Sequence, residues 1–162
     1  MARVFLSLGS NINQKDNIGS CLKVLTDLFG QIKASTVYES EAVGFSGDNF
    51  YNLVVEINTE LSVGELLQQL RRIEDDHGRI RKCERFSART LDIDILTYDN
   101  CIGSVDGVEL PRDEILKNAF VLWRMAELAG ADKHPLTGKT YAQHWQLFDK
   151  SSQKLWRLEA FN

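Results

Sequence analysis

At 162 residues, 43% hydrophobic and 26% charged, the chain has the size and composition of one globular domain, spanning 1–162, that buries a core without disulfides. A net charge of −4 argues against general nucleic-acid binding, and apolar runs of only a handful of residues exclude a membrane-spanning helix. Cys21, Cys83 and Cys101 have no metal spacing and cannot all pair within the chain; with no signal-peptide pattern in Met-Ala-Arg-Val-Phe-Leu, this points to a reducing cytoplasm, and a monomer is the expectation without a residue that specifies it. The three histidines are scattered, which argues against a zinc site and predicts surface positions for each.

Residues 3 to 9 alternate as a strand, with Val4, Leu6 and Leu8 on one face, and close at Gly9-Ser10-Asn11. Ile18, Cys21, Leu22, Leu25 and Leu28 fall at helical spacing over 17 to 29, and Gly30 supplies the stop. Residues 31 to 40 and 51 to 59, rich in β-branched and aromatic side chains, predict two more strands joined by a glycine-containing loop. Ser62 with Glu65 forms a capping box for a helix through Leu66, Leu67, Leu70 and Ile73. An irregular or hairpin segment follows over 100 to 116, around Asp106-Gly107, and a helix from about 118 to 128 stops at Gly130. In the tail, Trp145, Leu147, Phe148, Leu155 and Trp156 predict a segment folded back onto the body. The order β-α-β-β-α-β is the ferredoxin-like split motif: an α+β domain with a mainly antiparallel four-stranded sheet, helices on one face, and C-terminal extensions.

Chemistry concentrates between residues 71 and 96. Leu91, Asp92, Ile93, Asp94 and Ile95 alternate as a strand, which puts both carboxylates on one face, roughly 6.5–7 Å apart. Such a pair repels and resists desolvation, so it needs a counter-charge: a divalent cation, or the arginines upstream. The competing reading is a solvated polar strand face. Arg79, Arg81, Lys82, Arg85 and Arg89 weigh against it, because they follow the helix stop at Gly78 and make a cationic loop suited to a polyphosphate. Arg71 and Arg72 are accounted for by a solvated helix face with Glu74, Asp75 and Asp76. No Gly-x-x-x-x-Gly-Lys pattern is present, which excludes a P-loop kinase.

Gly9-Ser10-Asn11, Asn52, and Arg79-x-Arg-Lys-x-Glu-Arg85 leading into Arg89-Thr-Leu-Asp-Ile-Asp94 resemble the 6-hydroxymethyl-7,8-dihydropterin pyrophosphokinases of folate biosynthesis, over most of the chain. The resemblance implies Mg²⁺-dependent transfer of diphosphate from ATP, the co-substrate, to the pterin hydroxymethyl group, with release of AMP. It implies two Mg²⁺ ions on Asp92 and Asp94, with Arg79 and Arg89 as catalytic cations beside them. Glu74, Arg81 and Arg112 would serve the ATP side, although a surface i,i+4 partnership competes for Glu74. On the pterin side it implies Phe50 and Phe120 stacking on the ring, Asn52 reading its edge, and the backbone of Ser40, Val43 and Gly44 lining the pocket. For the two phenylalanines plain core packing competes.

Departures from the family pattern cluster: Arg112 stands for the usual histidine, Asn118 for an arginine, Arg124 for a proline, and Phe86-Ser87-Ala88 for Trp-Gly-Pro. Two alternatives follow from them: a diverged relative that binds pterin or nucleotide with weak or altered activity, and a non-enzymatic interaction domain. The retained Asp-x-Asp weighs against the second, since a bare carboxylate pair is a standing penalty.

Overall fold

The computed structural model describes residues 1–40, 49–78 and 91–149, together with the backbone of 155–157. Strand β1 (Ala2–Ser10) is buried along both faces from Val4 to Leu8, although only the face of Val4, Leu6 and Leu8 is apolar throughout, and it sits inside the sheet between β5 and β4. Helix α1 (Gln14–Phe29) begins three residues earlier than its apolar spacing predicts and ends at Gly30, whose φ of 77° suits a residue without a side chain. The expected strand 31–40 is broken into β2 (Lys33–Ala34) and β3 (Tyr38–Ser40), both paired with β4 (Phe50–Thr59). Between them the Ser35 hydroxyl accepts the Val54 N–H at 2.9 Å, in place of a backbone carbonyl.

Helix α2 (Val63–Asp76) opens on the expected capping box, with both reciprocal Ser62–Glu65 hydrogen bonds formed. Strand β5 (Asp92–Tyr98) follows, then a hairpin of β6 (Gly103–Val105) and β7 (Val108–Leu110). Asp106 and Gly107 both have positive φ, the backbone that a two-residue hairpin turn demands. The expected irregular segment ends instead in one helical turn, α3 (Glu114–Lys117), which leads into α4 (Ala119–Ala129). Helix α5 (Tyr141–Leu147), capped by Thr140 and Gln143, and strand β8 (Leu155–Arg157) complete the described elements.

Among the described residues the main sheet is antiparallel throughout, in the order β5-β1-β4-β3-β8, with β2 also on β4. Its first four strands have the ferredoxin-like arrangement. Both faces are covered, where helices on one face were expected. On one side Val4, Leu6, Leu8, Leu53, Val55, Ile93 and Ile95 pack against α1 and α2. On the other Phe5, Val54 and Leu96 pack against α3, α4 and Tyr141 of α5. Apolar residues at both strand parities require that second layer.

In the tail, Trp145 and Phe148 pack onto the second cluster as expected, but Leu147 is 71% exposed. His134 is buried rather than on the surface, in a turn where its Nδ1 accepts the Leu136 N–H. Cys21 is buried and unbridged, Cys101 is partly buried and unbridged, and Cys83 lies outside the described residues. Among the described residues no helix is long and apolar enough to cross a membrane.

Candidate active site

The register of four strands sets a row of residues across the α4-facing side of the sheet. Asp92 on β5 opposes Gly9 on β1, Gly9 opposes Asn52 on β4, and Asn52 opposes Tyr38 on β3. The next row on the same face runs Asp94, Ser7, Val54. Strands about 4.8 Å apart put Asp92 and Asn52 roughly 10 Å from each other, with a glycine between them. A Cβ on Gly9 would lie 3.0 Å from Asn52 Oδ1, so the place of the Asn52 amide over this row depends on glycine. Phe50, two residues before Asn52, shares its face, and the Ser40 backbone lies opposite Phe50.

Phe120, in the first turn of α4, comes to the same region. The Arg124 guanidinium carbon lies 5.1 Å from the Phe120 ring centroid and 4.6 Å from that of Tyr38, Asn52's neighbour in the row. The fold therefore gathers Asp92, Asp94, Asn52, Phe50 and Phe120 on one face. Arg79, Arg81, Arg89, Val43 and Gly44 lie outside the described residues.

The carboxylate end is electrostatically strained. Asp94 is pushed up to about 7, first by desolvation and then by Asp92 and Glu114, against the pull of Arg112 and Arg71. Glu114 is also raised, by desolvation first and by Asp92. Arg112 lies between them, its Nη2 4.0 Å from Asp94 Oδ1 and its Nε 3.5 Å from Glu114 Oε1, an oxygen with no hydrogen-bond partner among the described residues. Its backbone N–H donates to the Leu96 carbonyl at 2.9 Å, which anchors residue 112 alongside β5.

Two partly buried carboxylates that repel each other fit a hard divalent cation, which Asp92 and Asp94 would hold and which would relieve their repulsion. Among the described residues no group of three or more His, Cys, Asp or Glu side chains comes together as a ready-made metal cage.

Glu74 is fully buried, which corrects the surface i,i+4 alternative. Its Oε2 accepts the Ile93 N–H at 2.7 Å, and its Oε1 accepts from Arg71 Nη1 at 2.8 Å. Arg71 Nη1 also donates to the Ile93 carbonyl at 3.2 Å, so Arg71 is engaged with the carboxylate-bearing strand and is no mere solvated helix charge. Glu74 stands four residues after Leu70 and eight after Leu66, on the apolar stripe of α2, and that spacing was the available sign of burial. Glu114 gave no comparable signal.

An antiparallel ferredoxin-like sheet with paired carboxylates on β5, an arginine beside them, and an amide flanked by aromatics across the same face defines a class: an α+β domain whose candidate site spans one sheet face under α4. A family model described as 7,8-dihydro-6-hydroxymethylpterin-pyrophosphokinase matches residues 5–130. A 2-amino-4-hydroxy-6-hydroxymethyldihydropteridine pyrophosphokinase from Aquifex aeolicus is 36% identical over 143 residues, covering 86% of this chain and 88% of that protein. The Haemophilus influenzae protein of the same name is 34% identical over 133 residues, covering 80% and 82%. The folic acid synthesis protein fol1 of Pneumocystis carinii is 30% identical over 152 residues, covering 88% of this chain, which spans only 20% of that longer protein. A solved HPPK-DHPS structure in complex with substrates superposes with a TM-score of 0.66 at 13% identity, over 93% of this chain and 44% of that one. The chain belongs to the 7,8-dihydro-6-hydroxymethylpterin-pyrophosphokinase family.

Proposed function

We propose that this chain transfers the diphosphate group of ATP to the hydroxymethyl group of 6-hydroxymethyl-7,8-dihydropterin and releases AMP, as a step of folate biosynthesis. The observation that carries the reading is the row Asp92–Gly9–Asn52, in which a carboxylate and an amide share one face and only a glycine, closely approached by the Asn52 amide, stands between them. The pterin oxygen bonds to the β-phosphorus of ATP, the bond from that phosphorus to the α,β-bridging oxygen breaks, AMP leaves, and the hydroxyl proton is released.

Asp92 and Asp94 are the residues that would hold Mg²⁺, which when bound neutralises charge on the phosphates and on the reacting oxygens. Asn52 donates to and accepts from the pterin edge, while Phe50 from the sheet and Phe120 from α4 cover its two faces. Ser40, Val43 and Gly44 contribute backbone to the same pocket. Arg79, Arg81 and Arg89 supply cations to the triphosphate, with Glu74 acting on the ATP side through the strand that it holds. The protein works as a cytoplasmic monomer.

Arg112 supplies part of the positive charge that an arginine at position 118 would bring to the triphosphate. Its guanidinium lies 4.0 Å from Asp94, and it is always charged, whereas the family's histidine is mostly neutral at physiological pH. Arg112→Ala should lower kcat by roughly ten- to a thousand-fold, and Asn118→Arg in that background should recover part of the activity. An unchanged rate in Arg112→Ala rejects the compensation.

The decisive experiment incubates the protein with ATP, Mg²⁺ and the hydroxymethyl dihydropterin and follows AMP. AMP release that disappears in Asp92→Ala and Asp94→Ala supports the reading. ADP in place of AMP would mean simple phosphorylation. No turnover at all would leave a diverged binding protein.

A further inference from the structure

Strand β5 lies at an edge of the described sheet, so one side of it has no partner strand. In an antiparallel pair the N–H and C=O of a given residue point the same way. For Ile93 both point to the open edge, where α2 meets them. Glu74 Oε2 takes the N–H at 2.7 Å, Arg71 Nη1 gives to the C=O at 3.2 Å, and the two side chains are joined at 2.8 Å between Nη1 and Oε1. The result is a closed ring of three hydrogen bonds, with the charged pair replacing a neighbouring strand's peptide group. Its acidic member is wholly buried.

Ile93 is the residue between Asp92 and Asp94. Its own side chain is locked in the α1–α2 core, while the flanking carboxylates project from the opposite face. Those carboxylates repel one another, and an edge strand yields to such a force more readily than a central one. We infer that Glu74 and Arg71 are positioning residues for the metal site: their clamp on the Ile93 peptide fixes the spacing and direction of Asp92 and Asp94. The inference rests on the reading of those aspartates as the metal ligands. It also gives Glu74 its role, since both carboxylate oxygens are engaged within the protein. Arg71 adds a cation on the same side, one that acts on Asp94.

Two substitutions separate this from general stability. Glu74→Gln keeps the shape and one acceptor for Ile93 but turns an amide N–H₂ towards the Arg71 donors, so the ring opens. Arg71→Met removes the other half from a partly exposed position, where folding is less at risk. The readout is Mn²⁺ binding, followed by electron paramagnetic resonance with the enzyme saturated by a non-hydrolysable ATP analogue. Amide exchange at Ile93 is measured on the free protein.

Expected is a loss of Mn²⁺ affinity of roughly 10–100-fold in each variant, the range for residues that orient metal ligands, with faster Ile93 exchange and an intact cooperative unfolding transition. Arg71→Lys, which keeps a cation and its donors, should bind Mn²⁺ more tightly than Arg71→Met. Wild-type Mn²⁺ affinity in both Glu74→Gln and Arg71→Met overturns the clamp. So does a fall in melting temperature with no change in Mn²⁺ affinity, which would mean a merely structural pair. Wild-type Mn²⁺ binding that survives Asp92→Ala overturns the metal assignment itself, and the clamp's role with it, and is distinguishable because the variants at 71 and 74 are then irrelevant to the signal.

Discussion

Arg124 is wholly buried, with its guanidinium between the Tyr38 and Phe120 rings. Its Nη1 donates to the Phe120 carbonyl at 2.6 Å, while Nε and Nη2 have no partner among the described residues. Desolvation drives its pKa well below the ordinary arginine value, against the opposing pull of Tyr38 and Glu127. Two cation–π contacts of about 1–2 kcal/mol each partly offset the missing hydration, but two orphaned donors remain. Arg124→Met, which fills similar volume without charge, should therefore stabilise the fold by about 1–3 kcal/mol in chemical denaturation. A destabilised methionine variant would show that the aromatic contacts outweigh burial. The same scale divides what the sequence reveals from what it hides. Period-two alternation was enough to pair Asp92 with Asp94, because a strand allows only two faces. Glu74 was harder: a glutamate three residues from an arginine on a helix usually means solvent, and only its place on the Leu66–Leu70 stripe said otherwise.

At the scale of elements, β1 shows how one residue without a side chain organises a site. Gly9→Ala places a methyl 3.0 Å from Asn52 Oδ1, tight enough to push the amide aside by a few tenths of an ångström. Pterin affinity should fall about tenfold by calorimetric titration, worth about 1.4 kcal/mol, with little change in ATP affinity; equal losses for both ligands would indicate sheet damage instead. The turn between α4 and α5 makes a pH-dependent contribution. His134 is buried 5.8 Å from the His144 ring and 6.1 Å from that of Tyr141, and its Nδ1 accepts the Leu136 N–H, so it is neutral. Desolvation, then His144, lowers its pKa. A depressed folded value means that the unfolded chain binds the proton more readily. Stability is thus fully present above pH 6.5 and is lost as pH falls through the lower folded value. His134→Asn, which keeps an acceptor near Nδ1, should flatten the fall in melting temperature below pH 6.5; an unaltered slope places the sensitivity elsewhere. Elements with chemical punctuation were legible: the Ser62–Glu65 cap and the Asp106-Gly107 turn form as their sequences specify. Helix α5 was not, although Thr140 and Gln143 make the same kind of cap, because only seven residues follow and their aromatic content masks the period. The break between β2 and β3 was hidden too, since it depends on the Ser35 hydroxyl reaching Val54 across the sheet.

For the molecule as a whole, the site exists only where two layers meet. Asp92, Asp94, Asn52 and Phe50 belong to the sheet, but Phe120 belongs to α4, and nothing in the ferredoxin-like core alone would hold it there. The second layer is fastened by Glu127, whose carboxylate accepts from the Thr36 N–H at 2.6 Å, the Thr36 hydroxyl at 3.0 Å and the Tyr38 hydroxyl at 2.6 Å. Beside it, Trp123 lies 4.4 Å from Tyr38 and stacks on Trp145 at 5.4 Å, which carries the attachment on to α5. Glu127 therefore links the strand that neighbours Asn52 to the helix that bears Phe120, although it belongs to neither ligand site. Glu127→Ala removes three hydrogen bonds to a charged acceptor, partly replaced by water, and should destabilise the fold by about 2–3 kcal/mol. If α4 docking sets the position of Phe120, pterin affinity should fall by roughly three- to tenfold in the folded variant, short of the full 1–3 kcal/mol expected from deleting the ring in Phe120→Ala. ATP affinity should hold, because its proposed contacts lie on the β5 side of the sheet. Glu127→Gln, which keeps one carbonyl acceptor, should fall between the two. Denaturation curves and paired titrations of pterin and ATP measure both effects, and a destabilised Glu127→Ala protein that binds pterin as tightly as wild type would uncouple the docking of α4 from the pocket.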